Sequence, residues 1–203
     1  MAENLNIGSK IAGANNQANN STIEKYCYSD LETNCNVYGG LYQWAEMVQY
    51  LNGATNTTSW SPVPTGNVQG ICPNGWHIPT HDEWTTLERA VCTSSTCSTD
   101  FPYDITTYGY RGTDEGNKLK ESGTSHWLSG NNGTNSSNFT ALPGGYRGNG
   151  GSFGGIIGCG DWWTATEYGA TYAWDRYLYY SNATVDRAHN SKAGGFSVRC
   201  LKD

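Results

Sequence analysis

The chain has 203 residues, with 12 Lys and Arg against 18 Asp and Glu and a net charge of -6 at pH 7. That length suits one domain; the lack of a Lys/Arg stripe excludes a nucleic-acid backbone as partner, and no apolar run approaches the roughly 20 residues of a membrane span. Only 15% of residues are charged and 36% hydrophobic, yet there are 14 Tyr, 8 Trp and 26 Gly, so the core must come from Trp, Tyr and Ile/Val clusters joined by irregular backbone.

Residues 1 to 9 read as a short strand, and the Ala/Asn/Gln/Ser stretch from Ile11 to Thr22 as a loop. From Gly40, LYQWAEMVQYL sets Leu41, Trp44, Ala45, Val48 and Leu51 on one face, which predicts a first amphipathic helix ended by Asn52-Gly53. A Thr/Ser/Pro/Gly loop runs to Gly70. In IPTHDEWTTLERAV, Thr80 with Glu83 forms a capping box ahead of Trp84, Leu87 and Val91, which predicts a second helix. Beyond Cys97 long loops dominate, broken by a short helix around Asn117 to Glu121. Asn138 to Arg147 reads as a short strand into a turn, and Gly150 to Gly155 as a hairpin tip. Trp162–Thr166, Ala173–Tyr180 and Gly195–Cys200 carry the clearest strand signals. Two helices with small antiparallel sheets and long loops make a single α+β domain over 1–203.

Seven cysteines show no CxxC pair and no Cys/His spacing suited to zinc. Cys27 with Cys35 and Cys92 with Cys97 sit close together in turn-rich stretches and are expected as disulfides. Cys72 with Cys200 is expected as a long-range third that ties the terminus to the middle, leaving Cys159 over. Disulfides imply export; ordinary buried thiols are the alternative. No apolar segment of a signal peptide follows Met1, so the chain is expected to be a segment of a longer exported protein.

The ordered strings MAENLNIG, YGGLYQWAEM, CPNGWHIPTHDEW, GNKLK, FTALPGGYR, DWWTATE and GFSVRC resemble the fibrobacter-type major paralogous domain, FISUMP, over almost the whole chain. The resemblance implies a C-type-lectin-like fold and export, often to the bacterial surface. The segment 162–200 is similar to the family's retroelement-diversified subset, in which adenine-directed mutagenesis varies fixed positions and leaves a scaffold between them. On that resemblance Trp162, Trp163, Ala173, Trp174, Arg176, Leu178, Val185, Arg187, Phe196, Val198 and Arg199 are scaffold. Thr164, Thr166, Tyr168, Gly169, Thr171, Tyr172, Asp175, Tyr177, Tyr179, Ser181, Thr184, Asp186, Ala188, His189, Asn190 and Ser191 are the candidate ligand-binding positions.

Strand alternation agrees with that division, since it sets Ala173, Asp175, Tyr177 and Tyr179 opposite Trp174, Arg176, Leu178 and Tyr180. Trp162, Trp163 and Trp174 are expected to anchor the displayed face from beneath. Tyr offers broad, rigid contact area at low entropic cost, and Ser, Asn, Asp and Gly add adaptable contacts; a plain Tyr-rich strand is the bland alternative. The expectation is a non-enzymatic domain that binds a protein or glycan ligand on another cell or surface. A carbohydrate-binding module and a structural or adhesion subunit are the alternatives.

Catalytic and metal chemistry find little footing. His77 and His81 straddle Pro79, His126 and His189 are scattered, and no G-x-S-x-G elbow is present. Formylglycine-generating enzymes share the implied fold but use two nearby C-terminal cysteines for copper, where this chain has only Cys159. Calcium is the one cofactor left open, with Asp161, Glu167 and Asp175 the nearest oxygen donors and Asp114-Glu115-Gly116-Asn117 read as a solvated acidic turn. The Asn-x-Ser/Thr triplets at Asn20, Asn56, Asn132, Asn135, Asn138 and Asn182 read as Asn/Thr-rich loops.

Overall fold

The computed structural model describes residues 1 and 3–203. Its elements in chain order are β1 (Ser9–Lys10), β2 (Glu24–Lys25), α1 (Glu32–Tyr38), α2 (Trp44–Met47), β3 (Trp76–His77), α3 (His81–Val91), α4 (Cys97–Asp100), β4 (Gly109–Arg111), α5 (Glu115–Leu119), β5 (Tyr146–Arg147), β6 (Phe153–Gly154), β7 (Cys159–Glu167), β8 (Tyr172–Tyr179), β9 (Val185–Ser191) and β10 (Leu201–Lys202). The main sheet is antiparallel with strand order β4-β9-β8-β7, and β1-β2, β3-β10 and β5-β6 are small two-stranded pairs. Few helices, small sheets and long loops make this an α+β domain.

The predicted second helix forms as α3. Thr80 Oγ1 accepts from the Glu83 amide, and the Glu83 carboxylate accepts from the Thr80 amide at 2.8 Å. The helix lies on the sheet face that carries Trp162, Arg176 and Leu178, with Trp84 packed beside Trp162 and Leu178 in one core cluster. A second cluster on the other face joins Trp163 and Ala173 to Trp44, Tyr42 and Phe196, with Trp163 stacked on Phe196 at 4.2 Å. Adjacent residues of β7 therefore feed two different cores, as strand alternation requires.

The predicted first helix shrinks to the four residues of α2. Gln49 and Tyr50 take φ of 55° and 52°, which stops the helix before Leu51, and Leu51 is exposed. Leu41 and Tyr42, read as its first turn, instead bridge to Tyr26 and Phe196. Residues 41–48 are all buried, so the one-sided face was a coincidence of spacing. Gly195–Cys200 is likewise not a regular strand. It touches Arg147, Tyr42 and Trp162 in turn by isolated bridges, because it threads between the β5 hairpin, the N-terminal half and β7. The strand that the sequence hid is β9, whose polar run VDRAHNS carries few β-formers.

Buried polar groups fasten these layers. Arg176 Nε donates to Glu88, and Arg187 donates to His81 Nε2 and to the Pro102 carbonyl. Burial first, then Arg176 and Arg187, pushes His81 down to about 2, so it is a neutral acceptor. Lys120 Nζ donates to the carbonyls of Tyr179, Tyr180 and Asn182 and closes the β8–β9 turn. Asn4 Oδ1 accepts from Trp162 Nε1 and from Arg199 Nε, each at 2.9 Å, which locks the first residues onto the last.

The disulfides are Cys27–Cys35, Cys72–Cys200 and Cys92–Cys97, with Cys159 a buried free thiol. Beside Cys200, β10 pairs with β3, and His77 is held between Glu83 at 2.9 Å and Asp203 at 2.6 Å. Burial lowers the imidazole's proton affinity, but these two carboxylates outweigh it and raise its pKa above the ordinary value.

Candidate ligand-binding cavity

The sheet face away from α3 is only half covered. At one end Trp163 and Ala173 pack under Trp44 and Phe196. At the other, Asp161, Tyr177 and Asp186 lie side by side on β7, β8 and β9, with Tyr110 of β4 next in the same row. A cavity of about 740 Å³ opens over this row, with Tyr146, Arg147 and Phe196 on its opposing wall. The β5–β6 hairpin supplies Tyr146 and Arg147 to that wall, and Arg147 anchors it to Gly195, beside Phe196, by backbone hydrogen bonds in both directions.

The cavity is acidic and aromatic. Tyr110, Tyr146 and Tyr172 are each more than a third exposed. Burial lifts the Asp161 carboxyl well above the carboxylate range, with Asp175 and Asp186 adding to the shift. Asp175 is pushed up to about 8 by burial, against the opposing effects of its hydrogen bond from Asn190 and of Arg176. Asp186 is raised by burial, with Arg176 opposing.

Of the positions singled out in the sequence, Tyr172, Tyr177, Asp186, Ala188, His189, Asn190 and Ser191 line the cavity. Gly169, Thr171 and Ser181 are exposed in the flanking turns, and Tyr179 is exposed beside Tyr177, stacked on it at 6.2 Å. Four of the other candidate positions are buried or bonded within the fold. Asp175 is fully buried, its oxygens taken by Asn190 Nδ2. Thr164 is fully buried at the bulge between Trp163 and Glu167, where it accepts from the Thr166 amide. Thr166 accepts from the His81 amide and so seats α3, and Thr184 is folded back on Asn182 in the β8–β9 turn. Tyr168 stacks on His189 at 3.9 Å beside Trp174, a small aromatic group apart from the acidic row. Trp162 and Trp174 lie beneath the displayed face as expected, whereas Trp163 sits beside it under Phe196.

Tyr110, Tyr146 and Arg147 line the cavity with no sequence signal to mark them. Tyr110 lies in a three-residue strand inside a loop, and only its pairing with Asp186 reveals its place.

The calcium donors do not converge. Glu167 is paired with Lys192 and Asp175 with Asn190, leaving Asp161 alone. Among the described residues the one cluster with metal-ligand spacing is Cys27, Glu32 and Cys35, and its two sulfurs are already joined. The acidic loop is no solvated turn either: Glu115 is fully buried and accepts from the Thr113 and Asp114 amides. His81 is buried against two arginines, His77 is locked between carboxylates, and burial raises the Cys159 thiol far above its ordinary range. These are structural rather than reactive settings.

The fold and the site together define an α+β domain with a tyrosine-lined acidic cavity on its C-terminal sheet. Residues 1–202 match the family described as the Fibrobacter succinogenes major domain, and the chain belongs to that family. No curated protein and no solved structure matches it. Among the described residues no helix is long and apolar enough to cross a membrane.

Proposed function

We propose that this is an exported, non-enzymatic binding domain of C-type-lectin-like fold, whose C-terminal sheet presents a tyrosine-rich ligand face open to retroelement diversification. The observation that carries the reading is the split of residues 162–200 by environment. Trp162, Trp174, Arg176, Leu178, Val185 and Arg187 are buried, whereas Tyr172, Tyr177, Asp186, Asn190 and Ser191 line the cavity. A face can change while the layer beneath it keeps the fold, which is the arrangement a variable binding surface needs. Three disulfides support export, since such bonds persist in oxidising compartments. The protein or glycan ligand meets the domain at Tyr110, Tyr172 and Tyr177.

The test is to sequence the locus for a reverse transcriptase and a near-copy template of the segment encoding 162–200. The expected result is adenine-directed differences at the codons of Tyr172, Tyr177, Asp186 and Asn190, with none at Trp162, Arg176 or Arg187. A locus without a template overturns diversification. The exposed rings of Tyr110, Tyr146 and Tyr172 then favour a carbohydrate-binding module, because aromatic faces stack on sugars; a polysaccharide panel tests it by binding that is lost on a single Tyr change.

A further inference from the structure

The cavity holds carboxylates with no cation to answer them. Asp161 is 4% exposed and lines the cavity, and the polar neighbour of its carboxylate is the Cys159 thiol, 3.9 Å away. The ion pairs of the described residues run between other groups, and none reaches Asp161, Asp175 or Asp186. The guanidinium of Arg147, on the far wall, is spent elsewhere. It donates to the carbonyls of Gly13 at 2.9 Å, Ala193 at 2.8 Å and Asn15 at 3.2 Å, and lies over the Tyr26 ring. A buried carboxyl whose side-chain donor is a weak thiol alone is costly, and a native fold that keeps one calls for an explanation. Tyrosine faces carry the negative potential that attracts cations.

We propose that the cavity receives an alkylammonium group of the ligand, seated between Asp161 and Asp186 against the ring of Tyr177. The inference rests on the ligand-face reading above and narrows its chemistry. The register supports it, since Asp161 and Asp186 are the two direct cross-strand neighbours of Tyr177, so two carboxylates flank one ring at the spacing of adjacent strands. An anion is disfavoured there by the same carboxylates.

The electrostatics of the site fit as well. Burial, then Asp175 and Asp186, raises the Asp161 carboxyl, and nothing facing it supplies compensating charge. Its neighbours are the Cys159 thiol on its own strand, the Tyr177 and Tyr110 phenols on β8 and β4, and Tyr146 on the opposing wall. Arg176, behind the sheet, opposes the shift at Asp175 and Asp186 only. An ammonium favours the ionised carboxylates, so its binding is linked to loss of their protons and tightens as pH rises. The sign also favours the key variant. A carboxyl whose pKa folding raises destabilises the fold as pH climbs above its ordinary value, so Asp161→Asn removes a cost and folds.

The experiment is calorimetric titration of the intact chain with Ac-Gly-Lys-Gly-NH2, its norleucine and glutamate counterparts, and cadaverine, in two buffers of different ionisation enthalpy. The lysine peptide is expected to bind at least about tenfold more tightly than the norleucine peptide and to release protons, with Asp161→Asn and Asp186→Asn each weakening it about tenfold and Asp82→Asn leaving it unchanged. Cadaverine binding as tightly as the lysine peptide assigns the site to free amines; tighter peptide binding assigns it to a side chain of a protein partner. Both support the inference. Equal binding of the norleucine peptide, lost on Tyr110→Ala, overturns the cation while leaving the ligand face standing. Lysine-peptide binding indifferent to Asp161→Asn and to Tyr110→Ala overturns both readings, and no binding by any probe overturns the cation.

Discussion

Replacing Cys72 and Cys200 together by Ser is expected to cost about 5 kcal/mol, against about 2 kcal/mol for the same change at Cys92 and Cys97. The difference follows from what each bond denies the unfolded chain. Cys72–Cys200 closes a loop with a sequence separation of 128, whereas Cys92–Cys97 has a separation of 5. Loop-closure entropy grows with the logarithm of that length. The long bond also holds the terminal segment, with Val198 and Cys200, in the core around Ile71 and Ile78. Urea denaturation of the two double variants measures both terms. Equal losses would mean that the terminal segment is held by its packing alone and that the long loop contributes nothing.

Glu88→Gln is expected to cost about 3–5 kcal/mol, because it leaves buried guanidinium charge without its counter-ion. Arg176 and Glu88 are both essentially inaccessible, and Glu88 is the carboxylate that Arg176 bonds. Arg187, also fully buried, faces Arg176 across the β8–β9 register, so two like charges share that carboxylate. Burial pulls the Glu88 proton affinity up while the two arginines oppose it. For a chain of this size the loss corresponds to a fall in melting temperature of roughly 10 °C. The half-exposed pair Glu121–His126 offers the contrast, where Glu121→Gln is expected to cost under about 1 kcal/mol. Scanning calorimetry decides it, and a Glu88→Gln loss as small as that at Glu121 would show that the buried cluster is compensated by other groups.

Local chemistry was the legible part of this sequence. The capping box at Thr80 and Glu83 is satisfied within four residues, so α3 could be read directly. The close cysteine pairs and the alternation in β8 are local in the same sense. Asn4, Lys120 and Arg147 are different: their motifs are visible as strings, but Asn4 serves Trp162 and Arg199, and Lys120 serves three carbonyls of the β8–β9 turn. Nothing within a few residues of either predicts such partners. The false first helix failed because spacing alone cannot see that Gln49 and Tyr50 leave the helical region.

The candidate site shows the same limit. Alternation assigned Asp175 and Tyr177 to one side of β8, and they lie there. It could not say what covers each: Asn190 closes over Asp175, whereas the space above Tyr177 is open. Tyr110, Tyr146 and Arg147 come from loops whose approach to the sheet is set by tertiary bridges such as Arg147 to Gly195. No periodicity records those.

Fluorine NMR of the protein carrying 3-fluorotyrosine, titrated with a panel of oligosaccharides and short peptides, tests the location of the ligand face without assuming its chemistry. The resonances of Tyr110, Tyr172 and Tyr177, assigned by Tyr→Phe variants, are expected to shift first and together, while those of the buried Tyr26 and Tyr42 stay in place. Shifts confined to Tyr28, Tyr38 or Tyr103, outside the cavity, or no shift at any tyrosine, would contradict a binding face on the C-terminal sheet.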